Sequence, residues 1–235
     1  DNRIVCYFQP IYNYKKNELL KYEALVRIID IDGTVISPMS FLPNIAYTNL
    51  HFRLTKLILA ICFEAFKEND KYVSINLNYS DLINNDIENM IADKLKLNTD
   101  LASRITFEIL ESDEIDNMEL FKEKIDILHA LGSSISIDDF GSGYSNFKMV
   151  LDMEADYLKI DGSLIKNIDK SEKDFKVVKN IIRFAQDSNM KTIAEFVHSK
   201  AVYDKLIELD VDYMQGYYIS PPQAQIITKN ELFKA

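Results

Sequence analysis

Short apolar β-like runs alternate with helical runs along most of this chain, and nearly every β-like run ends on a polar or charged residue. Residues 73–77, 104–110, 134–137, 157–160, 192–194 and 213–215 read as strands. Helical periodicity lies between them at 41–47, 52–66, 86–97, 117–131, 174–187 and 199–209. In the second of these helices Leu54, Leu57, Ile58, Ile61 and Ala65 form one apolar stripe; Gly132 is the expected stop of the fourth. Strands that alternate with helices pair in parallel through crossovers. Seven or eight such units in one domain favour a closed barrel over an open sheet. Ahead of them, residues 4–12 and 19–29 are two β-like runs joined by Lys15-Lys16-Asn17, which reads as an antiparallel hairpin. There is no internal repeat or linker, so residues 1–235 form one domain.

The residues at the run ends are Glu23, Asn76, Glu108, the pair Asp138–Asp139 and Glu195, with Lys159 and Gln215 at two more. Barrel enzymes take their catalytic residues from the ends of several strands, all opening on one face. Like charges about 4 Å apart repel by roughly 4 kcal/mol at an effective dielectric near 20, so a ring of acids calls for a cation. Asn76 would offer a neutral oxygen, which suits Mg²⁺ or Mn²⁺. A divalent-metal hydrolase is the first reading. Taken singly, each residue also has a plain structural use. Asp138 and Asp139, adjacent at a run end, could serve two metal ions because successive side chains point to different sides of the loop, or could be only an acidic turn or helix cap; Glu108 and Glu111 could form salt bridges. Lys159 could pair with Asp161. The Gly141-Ser142-Gly143 segment lacks the features of a phosphate loop and reads as a mobile loop over the site.

Charge and composition narrow the partners. A net charge of −10 argues against polymeric DNA or RNA, whose phosphates need clustered Lys and Arg. Cys6 and Cys62 are too few for a disulfide scaffold and read as buried thiols of a reducing, cytoplasmic compartment. No apolar run approaches the roughly 18 residues of a membrane span, and nothing resembles a signal peptide. His51 and His129 read as helix-surface residues, with no spacing to a second zinc ligand, and Asp30-x-Asp32-Gly33 as a turn. The chain begins with Asp1, so it is expected to be a piece of a longer protein with a regulatory domain upstream.

Ordered blocks along nearly the whole chain carry a resemblance. They are Phe8-Gln9-Pro10-Ile11, Glu23-Ala24-Leu25-Val26-Arg27, Asn76-Leu77, Glu108 to Glu111-Ser112, Asp138 to Ser145, Lys159-Ile160-Asp161, Ala194-Glu195, and Gln215-Gly216-Tyr217 through Pro221. Together they resemble the EAL domain, the bacterial cyclic di-GMP phosphodiesterase. The resemblance implies an α/β fold, a TIM-type (β/α)8-like barrel with an antiparallel first strand, which agrees with the hairpin read above. It implies metal-dependent hydrolysis of cyclic di-GMP to linear pGpG by two-metal activation of water, with two Mg²⁺ or Mn²⁺ ions. Glu23, Asn76, Glu108 and Asp138 would hold one metal, with Asp138, Asp139 and Glu195 around a second. Lys159 would orient the attacking water, and Glu111 would brace the loop that starts at Asp139. Gln9, Leu25, Arg27, Asp161, Gln215 and Pro221 would contact the bases and phosphates. A homodimer is implied as well, to which residues 39–50 and 149–153 could contribute apolar contacts.

Three positions depart from that pattern. Ile28 stands where a Trp commonly follows the arginine, Phe196 replaces a usual glycine, and His198 stands where a second glutamate usually follows. His198 would make activity sensitive to pH between about 6 and 7, where imidazole titrates. A cyclic di-GMP receptor that no longer turns over is the alternative function, and a lost metal ligand would favour it; none is lost. An unrelated barrel enzyme or an interaction scaffold is the remaining reading.

Overall fold

The computed structural model describes residues 3–46, 48–111, 113, 115–143 and 147–234. Its strands are β1 (Ile4–Asn13), β2 (Glu18–Ile29), β3 (Val35–Ile36), β4 (Tyr72–Asn76), β5 (Ile105–Leu110), β6 (Ser134–Phe140), β7 (Tyr157–Ile160), β8 (Lys191–Ala194) and β9 (Tyr213–Met214). The helices are α1 (Leu42–Ile45), α2 (Asn49–Phe66), α3 (Tyr79–Leu82), α4 (Asn85–Lys96), α5 (Thr99–Ala102), α6 (Met118–Ala130), α7 (Phe147–Asp152), α8 (Gly162–Ile165), α9 (Glu172–Asp187) and α10 (Lys200–Glu208). Eight strands close into a barrel in the order β1-β2-β4-β5-β6-β7-β8-β9, and β1 pairs antiparallel with both of its neighbours. The short β3 pairs with β2 outside the closure.

The hairpin forms where expected. Asn17 takes the left-handed conformation at φ 54°, its N–H donates to Tyr14 O, and its side chain accepts from the Tyr12 hydroxyl at 2.6 Å. From β4 onward the strands are apolar on alternate residues. Val73, Ile75, Phe107, Ile109, Ile135, Ile137, Leu158 and Ile160 are buried in one layer with Phe63 and Phe66 of α2, Ile87 and Ile91 of α4 and Phe121 of α6. That layer between barrel and helices is the main core; each such side chain contributes about 1.5–3 kcal/mol on burial. The barrel interior is polar by contrast. Lys21, Ser74, Thr106, Ser136 and Lys159 are all buried, and Lys21 Nζ donates to Thr106 Oγ1 at 2.9 Å while lying 3.5 Å from the Tyr157 ring centre.

Two sequence expectations shift. The helix expected at 41–47 shrinks to α1, which carries Pro43 in its first turn and is preceded by a 3₁₀ turn at Pro38–Ser40; Tyr47 lies outside the described residues. His51 is not a surface residue. Its Nε2 lies 3.1 Å from Asp81 Oδ2 and 2.9 Å from Asn78 Nδ2, so α3, thirty positions along, packs over it. His129 also has a partner, Asp156 at 3.3 Å.

Candidate active site

One face of the barrel brings Glu23, from the middle of β2, into one cluster with Asn76, Glu108, Asp138 and Lys159, at or near the C-terminal ends of β4, β5, β6 and β7. Glu195 and Gln215, each one residue past its strand, complete it. Lys159 Nζ lies 2.8 Å from Asp138 Oδ1, 2.9 Å from Glu195 Oε1, 3.0 Å from Glu108 Oε2 and 3.4 Å from Glu23 Oε2. It makes these contacts in place of the expected pair with Asp161, whose carboxylate caps α8 and accepts from Ser163 N at 3.0 Å. Burial works against the ammonium form, but those four carboxylates outweigh it and hold the Lys159 pKa well above its ordinary value.

One ammonium does not neutralise the ring. Burial, opposed by Lys159 and reinforced by Glu23 and Asp138, pushes the Glu108 carboxyl up to about 8. Burial likewise raises Glu195, against Lys159 and with Asp138 and Glu23. Glu23 is also buried, yet it lies below the ordinary carboxylate range. Lys159 and hydrogen bonds from Gln215 Nε2 (2.6 Å) and Asn76 Nδ2 (3.1 Å) overcome its desolvation. Asp139 rises to about 6 through burial, then through the charges of Asp138 and Asp161.

Two carboxylate triads overlap here. Glu23, Glu108 and Asp138 each present one oxygen within 4.8 Å of the others, and so do Asp138, Asp139 and Glu195. Among the described residues the buried Oε1 of Glu108 has no hydrogen-bond partner, an arrangement that native interiors avoid unless something else satisfies the atom. Oxygen-only donors with an asparagine amide nearby suit a hard divalent cation. The residue set fits such an ion.

Asp138 and Asp139 share one cavity because β6 bulges. The β6–β7 register shifts between Ile137 and Phe140, and Asp139 sits at φ 56°, which turns its side chain to the same side as Asp138. That corrects the expectation that adjacent acids would point to different sides. Glu111 N–H donates to Asp138 O at 3.0 Å, and Glu111 Oε2 accepts from Gly141 N at 2.9 Å, so Glu111 ties down the segment after the bulge. Tyr144 and Ser145 of the same loop lie outside the described residues.

The cavity over the acids measures about 540 Å³, within the usual range for a small-molecule site. Glu23, Asp138, Asp139 and Glu195 line its floor, Gln9, Leu25 and Gln215 one wall, and Phe196, His198 and Tyr217 its rim. Gln215 Nε2 also donates to Gln9 Oε1 at 3.1 Å, and Gln9 Nε2 to Ser220 O at 3.3 Å. Arg27, Asp161 and Pro221 do not line this cavity. Arg27 instead donates to Val26 O at 2.8 Å and lies 5.7 Å from the Tyr7 ring centre. Sequence reasoning missed Lys21, buried beneath the acid ring; its spacing of two from Glu23 on β2 was the available signal. It also gave no role to Tyr217, which has no partner pattern in sequence.

The chain matches the family profile of the EAL domain over residues 1–222, and it belongs to that family. Among curated relatives, it is 32% identical to "Cyclic di-GMP phosphodiesterase PdeA" of Borreliella burgdorferi, over 92% of this chain and 33% of that protein. It is 30% identical to "Cyclic di-GMP phosphodiesterase PdeF" of Escherichia coli, over 98% of this chain and 31% of that protein. The chain therefore spans about a third of the length of these relatives. Among solved structures, "PaMucR Phosphodiesterase, c-di-GMP complex" superposes with a TM-score of 0.86 at 25% identity, covering 94% of this chain and 92% of that one. A standalone EAL protein from Vibrio cholerae, described as a c-di-GMP bound form, gives 0.81 at 28% identity, covering 96% and 94%. The barrel with its antiparallel first strand is thus the fold of the family.

Proposed function

We propose that this chain hydrolyses cyclic di-GMP to linear pGpG. The observation that carries the reading is the pair of overlapping carboxylate triads, joined at Asp138 and centred on a buried lysine. Relatives named as cyclic di-GMP phosphodiesterases and neighbours solved with that ligand support the substrate. Glu23, Asn76, Glu108 and Asp138 would hold one ion, and Asp138, Asp139 and Glu195 a second, with Mg²⁺ or Mn²⁺ as the hard cations their oxygens suit. Such ions supply an activated water near neutral pH and charge for the departing oxygen.

The chain's own residues do the rest. Lys159, held protonated by four acids beneath the cavity floor, would orient the attacking water through those acids. The water oxygen bonds to phosphorus, the P–O3′ bond breaks, and a proton from the water ends on the 3′ oxygen. Gln215 and Asn76 keep Glu23 ionised and aimed. Glu111 fixes the segment that follows Asp139. Gln9, Leu25 and Gln215 shape the wall against which the dinucleotide lies, with Arg27, Asp161 and Pro221 completing its contacts outside the cavity described.

The reading extends to a domain of a longer cytoplasmic protein that acts as a homodimer. The greater length of the relatives supports the first part, and no helix among the described residues is long and apolar enough to cross a membrane. Exposed Met39, Leu50 and Leu151 are the apolar contacts open to a second copy; Met149 and Met153 belong to the core.

The test is incubation with cyclic di-GMP and Mg²⁺ or Mn²⁺, with product separated by chromatography. Wild type forms pGpG, and Glu23→Ala slows it by at least about a hundredfold. Tight binding with the ligand unchanged would make the chain a receptor instead.

A further inference from the structure

The barrel has a second mouth, and its charge is opposite to that of the first. Tyr72, Tyr157, Lys191 and Tyr213 are the first residues of β4, β7, β8 and β9, so they stand around its N-terminal end. With Lys16 of the hairpin turn and Lys21 of β2 they line a cavity of about 210 Å³. Three lysines face a single acid on that lining, Glu18, in a chain whose net charge is −10. Lys16 and Lys191 are exposed at the rim, whereas Lys21 is only 4% exposed and is the deepest charge of the three.

Among the described residues no carboxylate oxygen lies within 4.0 Å of Lys16, Lys21 or Lys191. Lys21 Nζ has the Thr106 hydroxyl at 2.9 Å and the face of the Tyr157 ring at 3.5 Å, and both are neutral. A buried ammonium without an anion beside it is costly. The acids whose charge reaches it are engaged elsewhere. Glu108 faces Lys159, while Asp156 accepts from Ile135 N–H at 2.8 Å and lies 3.3 Å from His129. Burial draws the Lys21 pKa down to about 7 against the pull of Glu108, the mark of an under-compensated charge.

We propose that this N-terminal mouth of the barrel binds a small oxyanion, a phosphate group taken either free or as a compact monoester. The lysines supply the charge, and the three tyrosine hydroxyls are donors for the remaining oxygens. A cavity of about 210 Å³ admits a phosphate or a short ester and falls below the range that larger ligands such as nucleotides occupy. The site lies at the opposite end of the barrel from the acid ring. It stands or falls independently of the function proposed above.

Isothermal titration calorimetry of the whole chain tests it, after metal is stripped with EDTA and the chelator dialysed away. Inorganic phosphate and glycerol 3-phosphate are titrated in separate arms, each against NaCl of equal ionic strength. Without metal the acid ring repels both anions, so saturable heat reports the other mouth. Wild type binds at least one of them at one per chain, and the arm that binds tells free phosphate from an ester. Lys21→Met weakens that binding at least about tenfold, the loss of one charge-assisted hydrogen bond. Lys16→Glu combined with Lys191→Glu alters exposed positions alone and weakens it at least about fivefold. Should Lys21→Met fail to fold, the rim pair decides. A wild type indifferent to both anions, or binding that survives these substitutions undiminished, overturns the proposal.

Discussion

Glu23 and Glu108 both lie within 3.4 Å of Lys159, yet Glu23 is held ionised while Glu108 is pushed toward protonation. Hydrogen bonding separates them. Glu23 accepts from two side-chain amides, whereas one oxygen of Glu108 has no hydrogen-bond partner among the described residues. Glu111 acts at one remove, through the N–H of Gly141. Outer partners of metal ligands commonly carry 10–100-fold in metal affinity. Glu111→Ala therefore weakens divalent-ion binding by about 10–100-fold, read by calorimetric titration, and Glu111→Gln, which keeps an acceptor, weakens it less. Equal losses in both would contradict the bracing role. At this scale the sequence told which side chains stand at strand ends, because the spacing of apolar runs shows that. It did not tell which partner each would meet: Lys159 has four acids around it, carried by β2, β5, β6 and the exit of β8, and His51 finds Asp81 only after α3 folds over α2.

Two local backbone features build the site from these strands. The bulge in β6 puts Asp138 and Asp139 on the same cavity, and the close approach of Gly216 to Val197 aligns the exit of β9 with that of β8. A Cβ at Gly216 would run into the backbone N and O of Val197. Gly216→Ala costs about 1–3 kcal/mol in urea unfolding as the two segments part, and it displaces Gln215, so divalent-ion affinity falls as well. A variant as stable as wild type with full metal affinity would refute this account of the junction. The long helices and apolar strands were legible through their periodicity. A bulge was not, since Ser-Ile-Ser-Ile-Asp-Asp carries no mark of a register shift. The short helices α3, α5, α7 and α8 have too few turns to show a period. For α3 the capping box of Asn78 and Asp81 was the usable sign.

Across the whole molecule, a chain of net charge −10 concentrates acids where they are buried, and its metal-free form carries the cost. Asp139 near 6 and Glu108 near 8 have folded pKa values above their ordinary 3.8 and 4.5. The native state then keeps protons that the unfolded chain has released. Their contribution is fully present below the unfolded values and is lost as pH rises through the folded ones. The Tm of the metal-free chain falls from about pH 4.5 to about pH 7, and Mg²⁺ raises it more at about pH 7 than at about pH 5. Calorimetry across that range checks it; a metal response that does not grow with pH would contradict it. The barrel itself was legible because the alternation of strands and helices leaves few closures. Its polar interior was not, because Lys21, Ser74 and Thr106 fall within runs that also read as apolar.

The central claim is that the overlapping triads hold two divalent ions. Mn²⁺ titration of the metal-stripped chain, with free ion counted by electron paramagnetic resonance, tests it most directly. The account predicts two bound ions per chain, one lost in Glu23→Gln and the other in Asp139→Asn. A wild type that binds no Mn²⁺, or a count that neither substitution changes, would contradict it.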